Sequence, residues 1–319
     1  MPPLTPKTPK CLVGIDPLGR HYTLIVPSRA DRPGAIGNAI DRLDCPFCKG
    51  QEAQTPTPVA TLTKGGSWSA RIVPNRYPAV QSMDHPHKPG LMGIHEVVIE
   101  TPNHAPDWAY PQSPETESLW QLILKRIQDH RAIPKIKTLA WFKNQGTSAG
   151  ASLEHPHSQI LGTCLKSPAQ KQTDRMAANL FRKQGIPWLA QQLQREKAHR
   201  KRMVFCEEGF AVFCPDSIRC PFGLWIVPQK PRDPLAPAVI EASSLARVLG
   251  QTLRRFQTVH GSLAPYNLVL HLRMPGTVPG FRWYVELLPR LSQFAGWEWA
   301  TETFIHPVLP EDAAKAYRL

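Results

Sequence analysis

A short segment with two histidines and a glutamine carries the residue types that phosphoryl chemistry needs. Residues 155–159 read His-Pro-His-Ser-Gln and follow a stretch of small residues. An imidazole can attack phosphorus and form a phosphoramidate, and an uncharged Gln can donate hydrogen bonds to nonbridging oxygens. On a β-strand, alternation would place His155, His157 and Gln159 on one face. The small residues would let backbone N–H groups approach an anion closely, so the segment predicts a phosphoryl-transfer site.

A second group of residues has the spacing of a metal site. Cys45 and Cys48 form a C-x-x-C turn, which directs two thiolates at one tetrahedral centre. The same spacing occurs in redox proteins, but no thioredoxin-like βαβ pattern surrounds it. His155 is available as a third ligand if His157 is the nucleophile, and His104 or its rival His95 would be the fourth. The sequence predicts a structural zinc site.

Length and composition favour a globular cytoplasmic protein. The 319 residues are 42% hydrophobic and 20% charged, which is enough to bury a core. The 34 prolines, about twice the usual share of roughly 5%, argue against long helical bundles. No apolar run approaches the roughly 18 residues of a membrane span, and Met1–Lys10 lacks the apolar stretch of a secretory signal. Seven cysteines, an odd number, argue against a disulfide framework.

The net charge of +13 suits an anionic partner, which could be a nucleic acid or a small substrate. Much of the excess lies in residues 166–202. No aromatic residues alternate with these charges as they do in a single-strand binding platform, so we favour a solvated helical face. A non-catalytic nucleotide or nucleic-acid binder remains an alternative, against which the intact set His155, His157 and Gln159 argues.

Hydrophobic spacing predicts the α+β class, with two similar halves that each combine an antiparallel sheet and a long helix. The predicted divisions are an N-terminal half (1–175), a helical bridge (176–205) and a C-terminal half (206–319). Residues 49–66 are predicted as a polar loop. The predicted strands are 21–26, 68–73, 97–100, 139–142, 159–162, 210–213, 223–227, 266–272 and 282–288, and the predicted helices are 113–131, 175–202 and 237–256.

Taken together, these motifs resemble the galactose-1-phosphate uridylyltransferase family, the transferase branch of the histidine-triad superfamily. The resemblance runs through nearly the whole chain. It is carried by the segments 16–19, 27–33, 45–48, 73–79, 95–104, 155–159, 266–271, 286–291 and 295–298.

The resemblance implies a role for each matching residue. His157 would be the nucleophile, and Gln159 would contact the transferred phosphoryl group. Cys45, Cys48, His104 and His155 would hold a structural zinc ion. The residues that would line the nucleotide site are Arg29, Arg32, Asn75, Tyr77, Asn144, Gly150 and Ser152. Family members are usually homodimers, in which residues 296–298 reach the sugar site of the partner.

The resemblance also implies a reaction. UMP would move from UDP-glucose to galactose 1-phosphate through a covalent nucleotidyl-histidine, by double displacement. The alternative is a phosphorylase that uses inorganic phosphate and an ADP-sugar or a dinucleoside polyphosphate. Glu154, just before His155, is closer to the variant branch that includes ADP-glucose phosphorylase. Tyr284 and Glu286 stand where some members carry two histidines of a second metal site.

Overall fold

The structure is a computed structural model. It describes residues 11–18, 21–31, 45–83, 90–105, 107–230, 239–272, 274 and 283–318. Arg32, predicted to line the nucleotide site, and Pro237, the first residue of the predicted helix 237–256, lie outside these residues.

Groups of strands are separated by helices along the described chain. The strands are β1 (Leu12–Ile15), β2 (Tyr22–Ile25), β3 (Ala60–Lys64), β4 (Ser67–Pro74), β5 (Gln81–Ser82), β6 (Met92–Ile99), β7 (Thr138–Gln145), β8 (His157–Thr163), β9 (Met203–Glu207), β10 (Phe210–Phe213), β11 (Leu224–Pro228), β12 (Tyr266–His271) and β13 (Tyr284–Pro289). The helices are α1 (Pro114–Arg131), α2 (Pro168–Gln184), α3 (Trp188–His199), α4 (Val239–His260), α5 (Gly296–Thr301) and α6 (Pro310–Tyr317).

One large sheet organises the described chain. Its strands follow the order β3-β4-β6-β8-β7-β12-β13-β11-β10-β9, and every neighbouring pair on this path is antiparallel. β5 pairs parallel with β6, and β1 and β2 form a separate hairpin. The predicted α+β class is confirmed. The duplication into two halves and the boundaries at 175 and 205 stay predictions.

The main core lies between this sheet and the helices α1 and α4. Helix α1 begins after Ser113, whose Oγ accepts the backbone N–H of Thr116 at 3.2 Å, and buries an apolar stripe that includes Trp120. Helix α4 buries Leu249 and Phe256 in the same core. Both stripes follow the helical spacing that the sequence predicted. On the opposite face of the sheet, helix α3 packs against β10 and β11, and the end formed by β4, β6 and β8 lines the site.

Two predicted boundaries were wrong. β3 lies inside the segment 49–66 that was predicted as a loop. It is an edge strand in which Ala60 and Leu62 pack against the core and Thr61, Thr63 and Lys64 are exposed. Two half-buried apolar residues are too weak an alternation to stand out in a polar segment. The single helix predicted over 175–202 is two helices, α2 and α3. Gly185 ends α2 in the left-handed conformation, with φ of +70°, and Pro187 then caps α3.

No helix in the described ranges is long and apolar enough to cross a lipid bilayer.

A buried ion pair lies under the loop that follows β6. Lys143 on β7 donates to Glu100 at 2.6 Å, and the Tyr110 hydroxyl donates to the same carboxylate at 2.8 Å. The side chains of Lys143 and Glu100 are fully buried. Each charge depends on the other, because a buried ion without its partner loses its hydration and gains nothing in return.

We predict that Lys143→Met lowers the free energy of unfolding by about 3 to 5 kcal/mol, since Glu100 would remain buried as an unpaired carboxylate. The measurement is urea denaturation of the purified protein. Adding Glu100→Gln to Lys143→Met should recover part of the loss. The matched control is Lys125→Met, which breaks an exposed pair with Asp129 and should cost less than about 1 kcal/mol. An equal loss of unfolding free energy in Lys143→Met and Lys125→Met would contradict the proposed dependence of Glu100 on Lys143.

Candidate active site and metal cluster

The pairing of β6 with β8 sets which side chains face the site. Gln159 lies opposite Val97, and His157 lies opposite Ile99. Ser158, between His157 and Gln159, faces the core, where it accepts a hydrogen bond from the Trp141 indole at 3.0 Å. By strand alternation, His157 and Gln159 share the face opposite to the core of α1 and α4.

The backbone orients the imidazole of His157. Its Nδ1 lies 2.8 Å from the carbonyl oxygen of His155. A carbonyl can only accept, so Nδ1 carries the proton and Nε2 keeps its lone pair. The ring is buried and packs edge-on against Phe47 at a centroid distance of 5.3 Å. The backbone bond thus commits Nδ1 of His157 as a donor, and Nε2 is the ring nitrogen that this bond does not use.

The four predicted metal ligands lie together. The ligand atoms of Cys45, Cys48, His104 and His155 are all within 4.8 Å of one another. Nδ1 of each histidine is 3.5 Å from Sγ of Cys48. Among the residues that the structure describes, this is the one group of three or more such side chains found close enough to hold a metal ion.

The chemistry of the cluster fits a metal. Nε2–H of His155 donates to the carbonyl of Thr101 at 2.8 Å, which leaves Nδ1 as the ligand atom. Burial lowers the pKa of His155 to about 4, so the ring is neutral, as a ligand must be. Burial raises the pKa of the Cys45 thiol to about 11, and a bound cation would offset this cost of the thiolate.

His95, the rival fourth ligand, lies elsewhere. Its Nδ1 accepts the backbone N–H of Ala79 at 2.9 Å, and its Nε2 lies 2.9 Å from Oε1 of Gln159. The structure therefore brings His104, rather than His95, to the two cysteines.

A cavity of about 180 Å³ opens beside His157 and Gln159. Of the predicted substrate-binding residues, Asn75, Tyr77 and Ser152 line it. Most of the other lining residues are apolar, and none of them was predicted as a site residue. They are Pro46, Phe47, Gln54, Thr55, Pro56, Val73, Pro74, Arg76, Val97 and Leu153. Phe47 had a usable signal, because it sits between the two cysteines of the C-x-x-C turn. The apolar walls suit a flat ring such as a nucleobase.

Asn144 and Gly150 lie at the small-residue turn between β7 and β8. The Asn267 amide donates to Oδ1 of Asn144 and to the carbonyl of Ala149, both at 2.8 Å. Nδ2 of Asn144 therefore turns toward Gly150, which adopts φ of +85°, a region that favours glycine. Asn267 was not predicted as a site residue, and no local motif links it to Asn144. The link comes from the β7–β12 register, in which the two face each other.

Two cations stand near Tyr77. Arg29 donates through Nη1 to the carbonyl of Tyr77, which connects two of the predicted nucleotide residues. Arg76 lines the cavity and lies 5.6 Å from the centre of the Tyr77 ring. Arg76 was not predicted, although it is part of the motif that supplied Asn75 and Tyr77.

Some family members carry a second metal site in the C-terminal part of the chain, and here the same place holds a hydrogen-bonded pair of side chains. His271 contacts Glu286 at 2.9 Å and stacks on Tyr284 at a centroid distance of 4.4 Å. Trp225 also donates to Glu286 at 3.2 Å. Two of the three side chains are not histidines, and the described residues contain no second cluster of three metal ligands here.

Comparison with known proteins identifies relatives of the whole chain. The N-terminal domain of a family described as a domain of unknown function (DUF4931) matches residues 30–165. An ADP-glucose phosphorylase of Arabidopsis thaliana is 27% identical, covering 95% of this chain and 91% of the relative. A galactose-1-phosphate uridylyltransferase of Thermotoga maritima is 26% identical, covering 95% and 96%. The crystal structure of an Arabidopsis ADP-glucose phosphorylase with bound ADP-glucose superimposes with a TM-score of 0.75 at 26% identity, covering 97% and 99%.

These likenesses cover 95% of the chain, and the two relatives are named for phosphorolysis of ADP-glucose and for uridylyl transfer. Over nearly its whole length the chain is therefore similar to galactose-1-phosphate uridylyltransferases and to an ADP-glucose phosphorylase of the same kind. The resemblance drawn from the sequence motifs is confirmed.

The cluster geometry predicts one tightly bound metal ion per chain. Cys48→Ser should lower both the metal content and the thermal midpoint, because a structural metal contributes its binding free energy to folding. Elemental analysis and thermal unfolding of chelator-washed protein are the measurements. Cys206→Ser, which changes an exposed free cysteine, is the control and should alter neither. Full metal content in a Cys45→Ser, Cys48→Ser double variant would rule the site out.

Proposed function

We propose that the protein is a nucleotidyltransferase that acts through a covalent nucleotidyl-His157 intermediate. The observation that carries the proposal is the hydrogen bond from Nδ1 of His157 to the His155 carbonyl. It commits one ring nitrogen to the backbone and leaves Nε2 as a nucleophile beside the cavity. The likeness to these relatives over 95% of the chain supports nucleotidyl transfer as the reaction class.

In the first half-reaction, the lone pair on Nε2 of His157 attacks the α-phosphorus of a nucleotide sugar. A P–N bond forms, and the bond from phosphorus to the oxygen of the hexose 1-phosphate breaks. In the second, a phosphate oxygen of the acceptor attacks the same phosphorus and the P–N bond breaks. Gln159 and backbone N–H groups near Ser152 would donate to the nonbridging oxygens as their charge changes.

Gln159, the third polar side chain of the segment 155–159, explains why the nucleotidyl group is transferred to an acceptor rather than lost to water. Gln159 is uncharged and cannot take a proton from water or give one to a leaving group. A phosphate leaving group does not need that proton, because its oxygen is already a weak base. A water molecule, which must lose a proton to attack, gets no help from the amide.

For the metal cluster we propose zinc, since two thiolates and two imidazoles are a common tetrahedral zinc set. Its role would be structural. The ion would tie the turn that holds Cys45 and Cys48, and the loop with His104, to the start of β8. Lys49 N–H already donates to the carbonyl of Pro102 at 3.3 Å, which joins the same two loops.

Two different observations support two candidate pairs of substrates. The sequence motifs favour UDP-glucose as donor and galactose 1-phosphate as acceptor. A second candidate is phosphorolysis of ADP-glucose by inorganic phosphate, favoured by the likeness to the ADP-glucose phosphorylase over 95% of the chain. Both candidates use the same nucleophile and differ in base and acceptor. We also propose a homodimer, with residues 296–298 reaching the sugar site of the partner.

We predict that His157→Ala abolishes the covalent adduct and lowers turnover by several orders of magnitude, as loss of a nucleophile does (roughly 10⁴-fold or more). The adduct is located by peptide mapping and mass spectrometry after incubation with UDP-glucose or ADP-glucose. Metal content and the unfolding midpoint should stay unchanged. His199→Ala, on the exposed end of α3, is the matched control. A nucleotidyl group on His155 or His104 would overturn the mechanism.

The two candidate reactions are separated by the acceptor. Protein carrying the adduct is divided between galactose 1-phosphate and isotopically labelled phosphate. The uridylyltransferase yields UDP-galactose from a UDP-glucose adduct, whereas the phosphorylase yields ADP with label in its β-phosphate from an ADP-glucose adduct. Mass spectrometry of the released nucleotide reads both outcomes. Whichever acceptor discharges the adduct faster by tenfold or more defines the physiological class.

A further inference from the structure

His95 is a buried residue beside the site that the proposed mechanism does not use. It lies on β6, two residues before Val97, and therefore on the same face of the strand as Val97. Val97 is the residue that pairs with Gln159 of β8. Glu96, the next residue, points the other way and pairs with Arg126 and His130 of α1. His95 is therefore a diagonal cross-strand neighbour of Gln159, within reach of its side chain.

A backbone donor determines the tautomer of His95. The N–H of Ala79 lies 2.9 Å from Nδ1, and a backbone N–H can only donate. Nδ1 must therefore hold the lone pair, and the ring proton is on Nε2. Nε2 in turn lies 2.9 Å from Oε1 of Gln159. The N–H of His95 thus donates to the amide oxygen of Gln159.

Asn75 does not compete for this proton. Its Nδ2 lies 3.1 Å from Nε2 of His95, but its Oδ1 accepts the backbone N–H of Tyr77 at 2.8 Å. A second backbone donor thus fixes the Asn75 amide with its NH₂ group toward His95, and that group cannot accept. Of these two side-chain amides, Gln159 is therefore the one whose oxygen accepts the Nε2–H.

We propose that His95 is the positioning residue that turns the NH₂ group of Gln159 toward the reacting phosphorus. The inference rests on the proposed nucleotidyl transfer. A carboxamide has an oxygen and a nitrogen of nearly equal size, so a free Gln159 could present either one to the anionic phosphoryl group. With its oxygen held by His95, the amide presents its donors. In the other orientation its oxygen would repel the phosphoryl oxygens.

A double-mutant cycle on the rate of adduct formation tests this coupling. His95→Ala should slow single-turnover adduct formation by about 10- to 100-fold, below the roughly 10²- to 10³-fold cost of removing such a donor. In a Gln159→Ala background the same change should have almost no effect, because nothing remains to be oriented. Equal factors in both backgrounds would mean a general structural role and would overturn the proposal. His199→Ala is the matched histidine control.

A conservative variant separates donation from packing. In His95→Gln the amide nitrogen reaches roughly the position of Nε2, so it can still donate to Gln159, and it should recover a measurable part of the rate lost in His95→Ala. The nucleotide KM should change less than kcat in these variants, since the donor acts mainly as charge develops. A KM effect with unchanged kcat would count against positioning.

A spectroscopic measurement tests the tautomer without turnover. Protein labelled with ¹⁵N at histidine should show His95 as the Nε2–H form, assigned by the loss of its signals in His95→Gln. A protonated Nδ1 at neutral pH would overturn the proposal even if the adduct forms. Conversely, wild-type protein that forms no adduct with any nucleotide sugar would overturn the proposed function, while the ¹⁵N spectrum would still report the orientation of the pair.

Discussion

The register between β6 and β8 is the constraint on which the site depends. It sets His157 opposite Ile99 and Gln159 opposite Val97, and it directs Ser158 toward Trp141 in the core. Because side chains alternate along a strand, a slip of one residue would turn both functional side chains into the helical layer. The hydrophobic face of the sheet, through Ile160 and its neighbours, therefore fixes the position of the proposed catalytic groups.

Backbone carbonyls then give two neighbouring histidines different chemistry. His155 donates from Nε2 to Thr101 and keeps Nδ1 for the cysteines, whereas His157 donates from Nδ1 to His155 and keeps Nε2 for the cavity. Both residues are histidines, and they differ in which ring nitrogen is bonded to the backbone. The same reasoning applies to a side-chain amide, because the partner that holds its oxygen or its NH₂ group determines which of the two faces the site.

Local patterns predicted much of this arrangement, and long-range pairing supplied the rest. The helices α1 and α4 and the pair Cys45 and Cys48 were recoverable from spacing, since periodicity and C-x-x-C geometry are short-range properties. Spacing left His104 and His95 as alternatives, and the resemblance pointed to His104. Three further features were not recoverable from spacing. β3 is a polar edge strand, Gln54 and Thr55 reach the cavity from a loop, and Asn267 meets Asn144 only through the β7–β12 pairing. Nothing near these residues in sequence marks the contacts that the sheet creates.

The bond from Asn267 to the turn after β7 also bears on how this protein could be rearranged in evolution. β12 covers the edge of β7, and its asparagine holds the turn that the nucleotide would approach. A gene split between residues 175 and 205 would leave the first product with an unpaired strand edge and a loosened turn. The parts of the chain before and after such a split therefore depend on each other for a complete sheet and for the support of that turn.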